Sequence, residues 1–226
     1  MKLLVLGRGK TGALVAEVAQ RRGHQVEVLR AAENIHAAAL TPQRLAPLEV
    51  VIDFTTPHAV LENIEVCVHA RKNMVVGTTG WYGELPRVRR MVEDAAAGFL
   101  YGANFSRGVN LFFDAARMAA AALRRGYSGQ IFERHHAHKK DAPSGTAGQL
   151  QRMVREVSGA ELEITSFREG DVVGMHELVL DSPADTIYLC HDAKSRLGFA
   201  EGAVRAAEWL AGKTGFFDFR DVWREL

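Results

Sequence analysis

Over the first hundred positions, short runs of consecutive apolar residues alternate with stretches whose apolar residues recur every three or four places. The runs at 2–6, 25–29, 50–54, 74–76 and 98–101 have the length of buried strands, and the stretches at 13–22, 58–71 and 84–97 have helical spacing. Gly23 closes the first helix, because glycine enters the left-handed conformation that ends one. Strands that are apolar throughout have no face to offer to water, so the pattern predicts a parallel sheet with helices on both sides. Residues 31–48 have weak periodicity and receive no assignment.

After Asn104 the rhythm changes. A helical stretch over 109–125 leads to a strand at 130–136 and a helix over 144–157. Strands at 162–168, 175–180 and 186–191 follow without helices between them, the last two joined by Asp181-Ser-Pro-Ala-Asp185. Strands without crossovers call for a mixed or antiparallel sheet, and so for a second domain. An amphipathic helix over 199–210 and an aromatic segment at Phe216, Phe217, Phe219 and Trp223 are expected to pack back on the first domain. The division expected is a first domain over 1–105, completed by 195–226, and a second over 106–194.

The 226 residues are 47% hydrophobic, enough for a sizeable core. With 28 basic and 27 acidic residues the net charge is +1, so no overall field draws the chain to nucleic acid or to an anionic membrane. Anion binding has to be local. Two cysteines suit a reducing compartment, and Cys67, at helical spacing from Leu61 and Ile64, reads as a small core residue. No apolar run approaches the ~20 residues of a membrane span, and the expectation is a soluble cytoplasmic protein.

Gly7-x-Gly9-x-x-Gly12 falls between the first strand and the first helix, the context that makes it a dinucleotide fingerprint rather than a mere turn. Gly7 makes the turn, Gly9 admits a pyrophosphate to the backbone, and Gly12 lets helix and strand pack; Arg8, Lys10 and Thr11 lie among them. The fold class is therefore α/β, an N-terminal Rossmann-like parallel sheet plus a smaller α+β domain with a mixed or antiparallel sheet. Where an acid usually holds the ribose hydroxyls, the second strand ends in Leu29-Arg30. Arg30 can meet the 2′-phosphate of NADPH or stand as a solvated arginine, so the choice between NADH and NADPH is open. Ligands of parallel sheets bind at the strands' carboxyl ends, which adds the loops Asp53-Phe-Thr-Thr-Pro57 and Gly77-Thr-Thr-Gly80. Asp53 reads as a helix cap, and Gly77, Thr78 and Thr79 as neighbours of a nicotinamide.

The segment Glu133-Arg-His-His-Ala-His-Lys-Lys-Asp-Ala-Pro-Ser-Gly-Thr146 carries the chemistry. As a metal site it lacks Cys or Glu at ligand spacing, and no metal is assigned. As a nucleic-acid patch it lacks aromatic interleaving. A solvated basic run leaves unexplained Ser144, which can cap a helix whose first turn offers the Gly145 and Thr146 N–H groups to a carboxylate. Such a helix end contributes only ~0.3–1 kcal/mol, so cations must assist. The reading is a dicarboxylate site beside a proton donor.

These strings, with Ala-Asn-Phe-Ser-x-Gly-Val-Asn over 103–110, Arg-x-Gly-x-x-x-Gly-x-His over 168–176, and Ser-Arg-x-x-Phe-Ala-x-Gly-Ala-Val-Arg over 195–205, resemble the 4-hydroxy-tetrahydrodipicolinate reductases of the diaminopimelate route to lysine. The resemblance covers essentially the whole chain. It implies NADH- or NADPH-dependent reduction of a cyclic, imine-containing dicarboxylate by a homotetramer. It makes His135 a proton donor or acceptor and Lys139 the general acid, with substrate carboxylates at His136, Ser144, Gly145 and Thr146. Gly77, Thr78, Thr79, Ala103, Asn104 and Phe105 would line the nicotinamide, and Arg196 and Phe199 would close over it. Lys140 is outside the pattern and, adjacent on an extended segment, points away from Lys139. Two other readings stand beside this one: a related reductase of a small keto or imino acid, and a nucleotide-sensing module without catalysis.

Overall fold

The apolar runs of the first half become strands of four or five residues. In the computed structural model, which describes residues 1–226, β1 (Lys2–Leu6) leads through α1 (Lys10–Arg21) to β2 (Gln25–Leu29) and a short α2 (Pro42–Leu45). Then come β3 (Val50–Asp53), α3 (Val60–His69), β4 (Asn73–Val76), α4 (Leu85–Ala95) and β5 (Gly98–Tyr101). All five strands pair in parallel, in the order β5-β4-β3-β1-β2. Leu3, Val5, Val50 and Ile52 enter one core layer with α1, whereas Leu4, Leu6 and Val51 enter the opposite layer with Ile64, Val68, Val88 and Val92. Successive residues of one strand thus serve opposite layers, so across β1 and β3 only Lys2, at the start of β1, is solvated. Cys67 is fully buried in the second layer, as its spacing predicts.

The stretch without periodicity forms 3-10 turns at Ala31–Glu33 and Ile35–Ala37, followed by α2, which Thr41 caps by accepting from Arg44 N at 3.3 Å. Elements of three or four residues are too short to show a period, although Ala37, Leu40, Leu45 and Leu48 are all buried.

In the second half, α5 (Arg107–Ala119) tightens into 3-10 turns over Ala120–Arg125, where a single longer helix was expected. β6 (Ser128–His135), α6 (Gly145–Ser158), β7 (Ile164–Arg168), β8 (Gly174–Asp181) and β9 (Thr186–Ala193) follow. The four strands form a mixed sheet, ordered β7-β6-β8-β9: β7 is parallel to β6, and β8 and β9 run antiparallel. Ile131, Leu178 and Leu180 of the sheet pack with Leu150 and Val154 of α6.

The tail forms α7 (Leu197–Leu210), β10 (Gly215–Asp218) and α8 (Phe219–Val222). Its aromatic segment is more than packing, because β10 pairs in parallel with β5 as the sixth strand of the first sheet. Phe217 and Phe216 join the two opposite core layers. The chain divides into two compact units, Met1–Arg107 with Leu197–Leu226, and Gly108–Arg196. No helix is long and apolar enough to cross a membrane.

α7 packs so closely that a Cβ on Gly202 would overlap the carbonyl oxygen of Phe105. Gly202→Ala is expected to destabilise the protein by roughly 1–3 kcal/mol, read as a lower midpoint of urea unfolding. An unchanged midpoint would mean that α7 yields without cost.

Candidate active site

The first loop is shaped by close backbone contacts. Gly7 has φ of +96°, a Cβ on it would overlap the Phe54 carbonyl, and a Cβ on Gly12 would overlap the Gly7 carbonyl. Gly9, by contrast, faces open space. It stands at the N-cap of α1, with no side-chain cap and no acid in the first turn, so the leading N–H groups of α1 are left for an anion. Arg8 and Lys10 are exposed beside it, and Thr11 is half-buried. A cleft of about 280 Å³ runs from Gly9–Gly12 to Phe54, Thr55 and Pro57 and on to Gly77, Thr78 and Thr79. An open glycine, an uncapped helix start and a cleft along the carboxyl edge of the sheet fit the pyrophosphate of a dinucleotide. Arg30 is exposed at the end of β2, where its N–H donates to Glu33 Oε2 at 2.8 Å.

Asp53 does not cap α3, whose N-cap is Ala59 without a side-chain bond. It is instead a fully buried hub. Its Oδ1 accepts from Thr78 Oγ1 (2.6 Å), Thr55 Oγ1 (2.7 Å) and Thr55 N (2.9 Å), and its Oδ2 from Asn63 Nδ2 (2.8 Å). Burial raises its pKa, against the pull of these hydrogen bonds. The hub ties the loops after β3 and β4 together, which commits the Thr78 hydroxyl within the protein and leaves Thr79 exposed. The ring of Phe54 occupies the space a Cβ on Gly77 would need. Phe105 is buried between the rings of Phe54 and Phe219, at 6.0 and 4.7 Å, so its side chain belongs to the core and not to a ligand wall. Ala103 is exposed, Asn104 accepts from Ser106 N at 2.9 Å, and Arg196 and Phe199 are half-buried around the start of α7.

In the second unit, strand alternation buries Glu133 and His135. Pairing sets Glu133 opposite Ser166 of β7 and His176 of β8, and His135 opposite Arg168. Glu133 Oε1 accepts from Ser166 Oγ (2.6 Å), Arg168 Nη2 (2.7 Å) and Ser144 N (3.1 Å). Burial opposes the charge, but the hydrogen bonds from Ser144, Ser166 and Arg168 prevail and hold the carboxyl at about 2. Its other oxygen lies 3.0 Å from His135 Nδ1 and 4.0 Å from His176 Nε2. The two imidazoles meet edge-on, centroids 5.1 Å apart. Burial, reinforced by His135, pushes His176 down to about 4. Burial also lowers His135; Glu133 opposes this, while Lys139 and Arg168 add to it.

Ser144 caps α6 as expected, accepting from Ala147 N at 3.2 Å, and its Oγ lies 3.1 Å from His176 Nε2. Its hydroxyl is therefore buried and committed, and the first turn of α6 offers instead the exposed Gly145 and half-buried Thr146. Lys139 Nζ donates to both oxygens of Asp141, at 2.7 and 2.9 Å, and is half-buried where Lys140 is exposed. His136 is half-buried between them and His135.

Ligand-type atoms of Glu133, His135 and His176 lie within 4.8 Å of one another. Metal bonds of about 2.0–2.2 Å would put atoms 4.0 Å apart nearly in line through an ion, whereas a tetrahedral site needs about 3.4 Å. Arg168 already neutralises the carboxylate, which opposes a cation at this cluster. The local sequence gives no individual role to Glu133, Ser166, Arg168 or His176, and it places the loop of Phe54, Thr55 and Pro57 at the ligand edge without separating their roles. Period-two alternation in β6 is the one signal that puts Glu133 and His135 on a common face.

The nucleotide cleft and the imidazole-lysine segment are those of a two-domain NAD(P)H-dependent oxidoreductase. Residues 1–105 match the family model described as dihydrodipicolinate reductase, N-terminus, and residues 108–223 the one described as dihydrodipicolinate reductase, C-terminus. The chain is 35% identical to the 4-hydroxy-tetrahydrodipicolinate reductase of Christiangramia forsetii over 100% of this chain and 99% of that protein. It is 38% identical to the enzyme of the same name from Laribacter hongkongensis, over 79% of this chain and 74% of the relative. The fold is similar to a dipicolinate-bound dihydrodipicolinate reductase from Paenisporosarcina sp. TG-14, with a TM-score of 0.81 at 22% identity and coverage of 98% and 99%. The chain belongs to the dihydrodipicolinate reductase family.

His176 is held at about 4, below its ordinary 6.5, so between those values the unfolded chain binds a proton that the folded one refuses. Stability is therefore expected to fall as pH drops from 6.5 to 4, by on the order of 3 kcal/mol at most. It should fall further from 4.5 toward 2 as the unfolded chain protonates Glu133, which stays ionised in the fold. Urea unfolding from pH 7.5 to 4 measures the first loss, which should be smaller in a folded His176→Gln variant, where His135 and His191, also held below their ordinary pKa, still contribute.

Proposed function

We propose that this protein catalyses the NAD(P)H-dependent reduction of 4-hydroxy-tetrahydrodipicolinate to tetrahydrodipicolinate in lysine biosynthesis through diaminopimelate. The observation that carries the reading is the first turn of α6, open at Gly145 and Thr146, on the same short segment as His136 and Lys139. That segment combines N–H groups, an imidazole and an ammonium, a donor set matched to a dicarboxylate. The two curated relatives carry this activity in their names. Neither a keto-acid reductase nor a nucleotide sensor is favoured by the family match, and a sensor has no use for a buried Glu-His pair.

Gly7, Gly9 and Gly12, with Arg8, Lys10 and Thr11, hold the pyrophosphate, and Arg30 carries the charge that a 2′-phosphate would meet. Gly77, Thr78 and Thr79, with Ala103 and Asn104, line the nicotinamide side, Thr78 through its backbone; Arg196 and Phe199 close over it. The coenzyme supplies a hydride. His136, Gly145 and Thr146 hold the substrate carboxylates, while Lys139 and His135 manage the proton required at the carbon beside the one reduced. Asp141 keeps the Lys139 ammonium oriented. The protein works in the cytoplasm as a homotetramer. Tyr188 on the edge strand β9 is 66% exposed and Phe167 on the opposite edge strand is 40% exposed, which supports association through this sheet.

Loss of NADH or NADPH absorbance with freshly made 4-hydroxy-tetrahydrodipicolinate tests the activity, and silence with both coenzymes would refute it. Lys139→Ala is expected to lower kcat roughly 10²- to 10⁴-fold with coenzyme binding kept, and comparable turnover would remove Lys139 from the chemistry. His136→Ala should chiefly raise KM for the dicarboxylate; a pure kcat loss would move His136 into the proton transfer.

A further inference from the structure

Two buried polar atoms of the second unit, Glu133 Oε2 and His135 Nδ1, make no well-aligned hydrogen bond, yet they face each other at 3.0 Å. Each has lost its water, and an unmatched buried charge acceptor costs more than an imperfect bond. A small rotation of the imidazole aligns the pair, and the shared proton then has to reside on Nδ1, because the carboxylate is ionised. Glu133 is not free to turn away. Its other oxygen is fixed by Ser144, Ser166 and Arg168, donors from the start of α6 and from β7. His176 is no substitute partner, since its Nε2 is 4.0 Å from Oε2, beyond hydrogen-bond reach, and lies 3.1 Å from Ser144 Oγ.

We propose that Glu133 is a positioning residue for His135, holding Nδ1 protonated so that Nε2 is the nitrogen that takes up and returns the proton. The inference rests on His135 having the proton-transfer role given above. In the cycle Nδ1–H donates to Glu133 Oε2 throughout, while the Nε2 lone pair gains and then releases one proton; no other bond changes on the ring. The Nε2 edge has its own provision. A Cβ on Gly174 would lie 3.0 Å from Nε2, so glycine at the start of β8 keeps that edge clear.

The charged and titratable groups around His135 are Glu133 on its own strand, Lys139 and Asp141 on the following loop, Arg168 on β7 and His176 on β8. Burial disfavours the imidazolium, as do Lys139 and Arg168, whereas Glu133 and Asp141 favour it. Arg168 is balanced by Glu133 at 2.7 Å. Neutralising Glu133 therefore leaves Arg168 unopposed and makes His135 less basic.

Nitrogen-15 NMR of the full-length protein with labelled histidine reads the tautomer directly. Neutral His135 should show a protonated Nδ1 and a bare Nε2, and the opposite tautomer overturns the proposal whatever the substrate proves to be. In kinetics, Glu133→Gln should lower kcat at least about 10-fold, less than the roughly 10²–10⁴-fold worth of the proton-transfer group itself. Coenzyme affinity should be kept, the His135 limb of the pH profile should move to lower pH, and Glu133→Asp should restore part of kcat. A folded Glu133→Gln protein with unchanged kcat and pH limb overturns the proposal. Should that variant fail to fold, Gly174→Ala crowds Nε2 without touching the carboxylate and should lower kcat, and unchanged turnover would count against the role. If wild-type enzyme consumes no NAD(P)H, the assigned activity has failed, and the NMR measurement still decides the tautomer.

Discussion

The ionised Glu133 carboxylate is the contact around which the second unit is organised. Removing a carboxylate from water is prohibitive unless fixed donors replace the lost hydration, and here a guanidinium, a hydroxyl and a backbone N–H do so on one oxygen. Because those donors come from β7 and the start of α6, satisfying one charge also fixes where the functional segment begins and ends. His135 closes β6, and Ser144 opens α6. Between them lie His136, Lys139 and Asp141, on a stretch with little regular structure of its own. A loop pinned at both ends to a buried anion loses less freedom when substrate arrives than a loop held only at its surface.

Asp53 plays a comparable part in the first unit, with a different outcome. Its partners are hydroxyls, an amide and a backbone N–H, all neutral, so burial prevails and its pKa rises. Around Glu133 burial is outweighed by the hydrogen bonds of Ser144 and Ser166 together with the charge-assisted one of Arg168, so its pKa falls to about 2. The contrast follows the work at each place. Around the nucleotide loops the need is to join two strand ends, for which hydrogen-bond count suffices. Beside His135 the need is for a permanent negative charge.

The sequence announces whatever depends on local spacing. The first five strands of the first sheet, the glycine fingerprint, the Ser144 cap and the different exposure of Lys139 and Lys140 are all visible from neighbours in the chain. What it conceals depends on register between distant strands. Nothing local tells that Ser166, Arg168 and His176 converge on Glu133, because that requires β7 and β8 to pair with β6 in one register out of several. Asp53 was misread for a related reason. Thr55 and Pro57 imitate a helix start, while the partners that claim the carboxylate, Asn63 and Thr78, lie ten and twenty-five residues away. β10 is as long as β3, β4 and β5, and it was concealed because its phenylalanines stand in a run of aromatic residues that reads as packing without a period.

Phe54 shows that the two nucleotide loops are one construction. Its carbonyl occupies the space that forces glycine at position 7, and the Gly7 carbonyl in turn forces glycine at position 12. Its ring forces glycine at position 77. The Gly7 loop and the Gly77 loop are thus both spaced by a single residue just after β3, and Asp53, next to it, bonds Thr78 to hold them there. The Gly-x-Gly-x-x-Gly string therefore records only part of the requirement. Its first and third glycines answer to the chain's own backbone, and the middle one, which meets nothing within 4 Å, is left to answer to the ligand.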